Sequence, residues 1–504
     1  MDFRTLFAGA AIALAVAGSA AASPDTVKVA QGQLHGAVAG SVASFKNVPF
    51  AAPPVGDLRW RPPQPAKAWT GVRDATLLGP TCFQMRQVTP DVRQSEDCLQ
   101  LNVWTPAGFK PGAKLPVMVF IHGGSFTGGS GTNALYDGTH FAERGVVLVT
   151  VNYRLGRLGF FAHPALTAEQ STAPLANYGM MDNLAALKWV RDNISAFGGD
   201  PKNVTAFGES AGGILINDLM ASPKARGLIA KAISESGFGR LPGQPMAQAE
   251  TLGVAYASGL GVTATGPGAL KQLRALTPEQ LSKAAGAVTP IIDGKVMPEG
   301  PTAAFAAGRE LKIPYIAGGN SWEASLFSTA TPLDRAGALK DRLVAAYGAP
   351  ANLQTVQWDL STESSVIEPD RNLARLHVKN GQKAFVYYDS YIPASQRSVI
   401  HGLAHGGELA YVFGNLPDKD RIQGNRTIPA ATAEDRKLSA SLTDAWAAFA
   451  RTTDPSTPTA PWPAYAAATD TVQEFGADGV HARPAFHKAS LDLVEQFNAE
   501  TAGR

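Results

Sequence analysis

Chemistry is written most densely in Thr205-Ala206-Phe207-Gly208-Glu209-Ser210-Ala211-Gly212-Gly213, where a serine stands two residues from a glycine on either side. An extended apolar segment, Val204 to Phe207, runs into Gly208-x-Ser210-x-Gly212 and then into a helix-compatible run, Ile214 to Met220. That is the layout of a nucleophile elbow. The turn is so sharp that the serine takes an unfavourable backbone conformation, and the small glycines let strand and helix pass each other. The helix N-terminus then offers backbone N–H groups, notably that of Ala211, where an oxyanion can form. Because glycine fills 51 of 504 positions, a Gly-x-Ser-x-Gly can also arise by chance, and the context of the motif must decide.

A serine hydroxyl is a poor nucleophile unless a base takes its proton, and the base needs an acid to fix its tautomer. In elbow hydrolases the order along the chain is Ser, then Asp or Glu, then His. Five of the nine histidines follow Ser210: His377, His401, His405, His481 and His487. His405 is the best placed, in the glycine-rich stretch His401 to Gly407 that leads into Leu409 to Phe413, and His401 is second on position alone. For the acid, Glu323 follows the apolar run Ile313 to Ala317 after a Gly318-Gly319 break, and Asp389, after Ala384 to Tyr388, competes with it. Upstream, Phe120-Ile121-His122-Gly123-Gly124-Ser125-Phe126 reads as a strand ending in a glycine-rich turn, which suits the second half of an oxyanion hole or, more plainly, a tight turn. His122 precedes the nucleophile and reads as structural.

The elements that must position these groups are short apolar runs: Leu101 to Trp104, Val117 to Ile121, Val146 to Val151, Val204 to Phe207, Ile229 to Ser234, Ile313 to Ala317 and Ala384 to Tyr388. Continuous apolarity fits strands buried on both faces, and the intervening segments, such as Asp182 to Ile194, carry helical spacing. The expected fold class is therefore α/β, a mostly parallel central sheet flanked by helices. Val27 to Val29 and Ser44 to Val48 predict a small N-terminal sheet. The proline-rich segment Ala51 to Pro65 predicts an ordered loop, because Trp60 and Trp69 call for burial. Gly268 to Leu276 and Pro278 to Ala285 read as helices, and Leu438, Leu442, Trp446 and Phe449 mark a late amphipathic one. No repeat or linker divides residues 23–504, so a single domain is expected.

Composition narrows the function further. With 45% hydrophobic and 17% charged residues the chain is globular, and a net charge of +2 without a Lys/Arg cluster points away from nucleic acid toward a small-molecule substrate. Arg4, the apolar run Leu6 to Ala17 and the small residues before Ser23-Pro24 read as a secretory signal, 1–22, which implies a secreted or periplasmic protein. The only cysteines, Cys82 and Cys98, then lie in an oxidising compartment and are expected to pair; closing a loop of about 15 residues stabilises by about 3 kcal/mol. No nucleotide fingerprint, P-loop, metal-ligand cluster or His-Glu-x-x-His occurs, so no cofactor and no metal are expected.

Taken together the motifs resemble the type B carboxylesterases, the cholinesterase-like branch of the α/β-hydrolases. The similar stretches are Phe50 to Gly56 with Leu58-Arg59, Glu96-Asp97-Cys98-Leu99-Gln100-Leu101-Asn102-Val103, Val151 to Leu155, Asn177-Tyr178-Gly179 with Asp182, Phe197 to Pro201, and Phe207 to Gly212. The resemblance implies Ser210 as nucleophile, Glu323 in Gly319-Asn320-Ser321-Trp322-Glu323 as acid, and His405 in His405-Gly406-Gly407-Glu408-Leu409 as base. It also implies an oxyanion hole of the Gly124, Ser125 and Ala211 N–H groups, Ser125 standing where relatives often carry a third glycine. Cys82 and Cys98 match the family's first disulfide. The implied activity is hydrolysis of small or medium carboxylic esters through an acyl-enzyme; an amidase or lactonase with the same triad, or a non-catalytic binding module on this fold, are the alternatives. In cholinesterases a tryptophan inside the first disulfide loop binds the quaternary ammonium, and Phe83 to Asp97 has none, so choline esters are not expected to be preferred. A saturating rate on butyrylthiocholine above that on plain aliphatic esters would contradict this.

Overall fold

The computed structural model describes residues 25–84, 92–173, 175–283, 288–350, 352–423 and 426–501; the expected leader, 1–22, and the end of the Pro278 to Ala285 helix lie outside them. The central sheet comprises β1 (Ala37–Ala39), β2 (Val42–Pro49), β3 (Gln100–Pro106), β4 (Leu115–Ile121), β5 (Val147–Val151), β6 (Gly199–Glu209), β7 (Lys231–Glu235), β8 (Tyr315–Asn320), β9 (Ala384–Asp389), β10 (Val472–Gly476) and β11 (Gly479–Arg483). Their order across the sheet is β11-β10-β9-β8-β7-β6-β4-β5-β3-β2-β1. Pairing is parallel from β10 through to β5 and antiparallel at both edges.

Continuous apolarity in these strands is explained by cover on both faces. In β4, Val117, Val119 and Ile121 point into one core with α1 (Tyr178–Asn193) and α2 (Ala211–Ala221). The alternate residues Met118 and Phe120 enter a second core with Leu438, Leu442, Trp446 and Phe449 of α4 (Ala433–Thr452). That helix starts at a capping box, in which Thr432 Oγ1 accepts the Asp435 N–H at 3.1 Å and the Asp435 carboxylate accepts the Thr432 N–H at 2.7 Å. Trp60 is fully buried among the prolines, donating its Nε1 hydrogen to the Arg157 carbonyl at 2.7 Å. A further helix, α3 (Glu368–Lys379), covers the β8 and β9 side of the sheet.

One element differs from the sequence expectation. Ser44 to Val48 is not part of the small N-terminal sheet, which consists of Thr26–Val29, Gly32–His35 and Val72–Asp74. It lies in β2 of the central sheet, paired with β3, because Phe45 and Val48 are fully buried there. A second difference is one of extent: the expected run Ile229 to Ser234 begins its strand only at Lys231 and continues to Glu235.

Two buried ion pairs tie loops to this frame, and both use residues of the recurring motifs. Arg59 meets Glu96 through Nε at 2.8 Å and Nη2 at 2.6 Å. Arg154, just past β5, meets Asp182 of α1 through Nε at 2.8 Å and Nη2 at 2.7 Å, and its backbone N–H donates to the same carboxylate at 3.0 Å. Asp182 is wholly buried, so removing it strands a guanidinium and an amide away from water. Asp182→Ala is expected to cost about 3–5 kcal/mol. Urea unfolding checks this: the midpoint should fall with an unchanged slope, and an unaltered midpoint would show that the pair does not hold α1.

Candidate active site

The register of the parallel strands brings their C-terminal ends into one line, since Ile121 of β4 pairs with Gly208 of β6, and Glu235 of β7 with both Glu209 and Gly318. Ser210 and Glu323 sit just beyond that line, and His405 meets Glu323 there, where ligands of open parallel sheets bind. Ser210 stands between β6 and α2 with φ 57° and ψ −121°, a conformation that a side chain pays for in strain. Its N–H donates to the Glu235 carbonyl at 2.9 Å, which pins the turn to β7.

Both elbow glycines are required by close approach. A Cβ on Gly212 would lie 2.0 Å from the Ile121 carbonyl oxygen, and one on Gly208 would lie 2.6 Å from the same atom. Neither position can carry a side chain without pushing β4 away.

Glu323 follows β8 in a short 3-10 turn and is fully buried. Its Oε1 accepts from the Ser236 hydroxyl at 2.5 Å and the Asn320 N–H at 2.6 Å, while Oε2 meets His405 Nδ1 at 2.5 Å. The glycine break before it has a steric cause, because a Cβ on Gly319 would sit 2.6 Å from Glu323 Oε1 and one on Gly318 2.2 Å from the Tyr387 carbonyl. His405 is held further by its own N–H donating to Ser325 Oγ at 2.9 Å and by an edge contact with Phe238. Its free nitrogen, Nε2, is buried without a hydrogen-bond partner among the described residues and lies 3.0 Å from Oε1 of Glu209, the residue beside Ser210.

The competing candidates lie elsewhere. His401 is a surface residue facing Asp359 at 3.1 Å, and Asp389 is buried with its Oδ1 accepting the Tyr391 N–H. His122 is enclosed, its Nδ1 against the Gly123 carbonyl at 2.8 Å and its ring stacked on Tyr153; burial lowers it to about 4, so it is neutral.

The glycine-rich turn after β4 takes left-handed backbone at three consecutive residues, Gly124 (φ 107°), Ser125 (φ 55°) and Phe126 (φ 60°). At Gly124 a Cβ would meet the Gly128 carbonyl oxygen at 2.3 Å. Its own carbonyl accepts the Thr127 and Gly128 N–H groups, so the turn is closed from behind. The N–H groups of Gly124 and Ser125 are not spent on loop or turn carbonyls among the described residues, and that of Ala211 is an orphan donor in the first turn of α2.

Sequence order did not single out the acids around this site. Besides Glu209, Glu408 accepts from Asn320 Nδ2 and Glu235 accepts from Trp446 Nε1 at 2.5 Å, and all three carboxyls are buried. Burial pushes Glu235 up to about 8, and burial together with the neighbouring carboxylates pushes Glu408 well above the usual range. Burial works against a charged His405, but the charges of Glu209 and Glu323 outweigh it and raise the imidazole above its ordinary value. Glu209 is itself raised by burial against the opposing pull of His405. Adjacency offered a clue, since Glu209 adjoins Ser210 and Glu408 lies three residues after His405. Cys82 and Cys98 form the disulfide, with Cα atoms 4.9 Å apart.

Comparison with known proteins places the chain as a whole. A sequence profile of the carboxylesterase family matches residues 23–343 and 338–493. Fumonisin B1 esterase of Sphingopyxis macrogoltabida is 37% identical over 467 residues, covering 85% of this chain and 83% of that protein. Para-nitrobenzyl esterase of Bacillus subtilis (strain 168) is 37% identical over 466 residues, covering 86% and 91%. A solved PNB esterase structure superposes with a TM-score of 0.82 at 34% identity, over 94% of this chain and 99% of the other.

Proposed function

The chain belongs to the carboxylesterase family and is a carboxylic ester hydrolase of α/β-hydrolase fold, and on that premise we propose that it cleaves small and medium carboxylic esters through Ser210, His405 and Glu323 by way of an acyl-enzyme. In the first step Ser210 Oγ attacks the ester carbonyl as His405 Nε2 takes its proton, and Glu323 holds the imidazole in the tautomer that leaves Nε2 free. The Gly124, Ser125 and Ala211 N–H groups receive the negative oxygen of the tetrahedral intermediate. His405 then returns the proton to the departing alcohol, and water repeats the sequence on the acyl-serine.

The observation that carries this reading is the 2.5 Å contact of Glu323 Oε2 with His405 Nδ1, which leaves Nε2 unpaired beside the elbow. Rapid mixing with p-nitrophenyl butyrate should give a burst of nitrophenol equal to the enzyme present, and digestion of the quenched protein should find the butyryl group on Ser210. A burst without label on Ser210, or label on another residue, would refute the assignment. Residues 1–22 are read as a leader removed on export, with the mature chain a single domain acting in the periplasm or outside the cell.

The buried acids give a pH consequence whose sign is fixed. A general base must be neutral, so the rate falls as pH drops below the raised pKa of His405. Glu209→Gln removes a negative charge 3.0 Å from Nε2. The acidic limb of kcat/KM should therefore move to lower pH by about one unit. A limb left in place would mean that Glu209 does not set the protonation of His405.

A further inference from the structure

Helix α2 runs on from Ser210, and two turns along it a buried acid has no use in the proposed chemistry. Asp218 is 1% exposed, and its Oδ2 has no hydrogen-bond partner among the described residues. It forms part of the wall of a cavity of about 250 Å³ that opens to solvent past Leu241, Pro242 and Gln248. Ile214, one turn before Asp218 and so on the same helix face, lines the cavity too, with Pro290 and Met297 opposite. Asp218 lies eight residues on from Ser210, about 12 Å along a helix axis, and none of Ser210, Glu323 and His405 lines the cavity.

We infer that this cavity binds the ammonium group of a small aliphatic primary amine, with Asp218 as its counter-charge. A buried carboxyl without a partner is costly, and a protein that keeps one at the wall of an open cavity has a place for the missing partner. Of the groups that could complete it, a metal ion is a poor fit by chemistry, since Asp218 is the one carboxylate and only Gln244, Gln248 and Thr289 add side-chain oxygens to an otherwise apolar wall, fewer than a hard cation takes. Ile214, Leu241, Pro242, Pro290 and Met297 suit an alkyl chain, and the single acid suits its cationic end. The volume is below that of sites for drug-sized molecules, which limits the ligand to a short chain.

Among the described residues nothing charged lines the cavity besides Asp218. On the segment that packs across it, Asp293 accepts from the Lys295, Val296 and Met297 N–H groups, and Lys295 donates to the Ser171 and Ala173 carbonyls. Burial alone accordingly raises Asp218 to about 8. At lower pH the acid is protonated and an ammonium ion must displace that proton, so affinity rises with pH until Asp218 is ionised.

The test follows the Met297 methyl resonance of the full chain carrying ¹³C-methyl methionine, with the peak assigned by Met297→Leu. n-Butylammonium should shift it saturably, and bind about tenfold or more tightly at pH 8.5 than at pH 6.5. 1-Butanol and butyrate should not reproduce the shift, and Asp218→Asn should abolish the response while keeping the parent rate on p-nitrophenyl butyrate. No saturable shift at pH 8.5, an equal response to butanol, affinity independent of pH, or full binding by Asp218→Asn would each overturn the proposal. The alcohol comparison and the pH series use the parent chain, and so decide even if the variant fails to fold. Inhibition of ester hydrolysis separates the two sources of the amine: competition with the ester marks an amine-bearing substrate whose tail reaches this cavity, and binding without competition marks a free amine.

Discussion

Ser210→Ala is expected to lower kcat on p-nitrophenyl esters, from acetate to palmitate, by about a million-fold. The size follows from how the three side chains work. Without the hydroxyl, His405 has no proton to take and Glu323 no imidazolium to balance, so loss of one member forfeits the contribution of all three. What survives is the residual catalysis of the oxyanion donors, about 10³–10⁴ over water. The substitution is mild structurally, because alanine keeps the Cβ already accommodated at φ 57° and Ser210 Oγ makes no hydrogen bond among the described residues; its N–H bond to the Glu235 carbonyl is backbone and remains. Circular dichroism and thermal midpoint should match the parent. Activity equal in the two proteins would remove Ser210 from the reaction, whatever the fold, and parallel assay of the chain-length series in the parent sizes the acyl pocket.

The elbow was legible in the sequence because its constraints are local and steric. Gly208 and Gly212 are both dictated by one atom, the Ile121 carbonyl oxygen, and such a clash leaves a fixed spacing in the chain. Glu323 was legible for the same reason, since Gly318 and Gly319 are cleared by the Tyr387 carbonyl and by the carboxylate itself. The ring of acids was not, because Glu209, Glu235 and Glu408 converge only through the register of β6 with β7 and the return of the chain past His405. Ser236 and Ser325, which fix Glu323 and the His405 backbone, carry no signal a solvated serine would lack. The strands next to the two edges escaped for a different reason. Val472–Gly476 holds the polar pair Gln473-Glu474 inside five residues, too short a run for alternation to speak, and the Ser44 to Val48 strand reads equally well on either of two sheets until the burial of Phe45 and Val48 against β3 decides between them.

Glu323→Gln should lower kcat by about ten-thousand-fold with little change in KM. The reason lies in what already surrounds the carboxylate. Oε1 accepts two hydrogen bonds, from the Ser236 hydroxyl and the Asn320 N–H, so a glutamine must place its carbonyl oxygen there to keep both donors satisfied. Its NH₂ group then faces His405 Nδ1 in place of Oε2. A donor opposite Nδ1 forces that nitrogen to accept, which moves the ring proton to Nε2 and leaves no base for Ser210. The negative charge that would stabilise the imidazolium is lost as well. Because the shape is preserved and no buried group is left unpaired, the thermal midpoint should stay near that of the parent, which separates a tautomer defect from a folding defect. A loss of less than about tenfold would mean that another carboxylate orients His405; Glu209 is the one within reach, 3.0 Å from its other nitrogen.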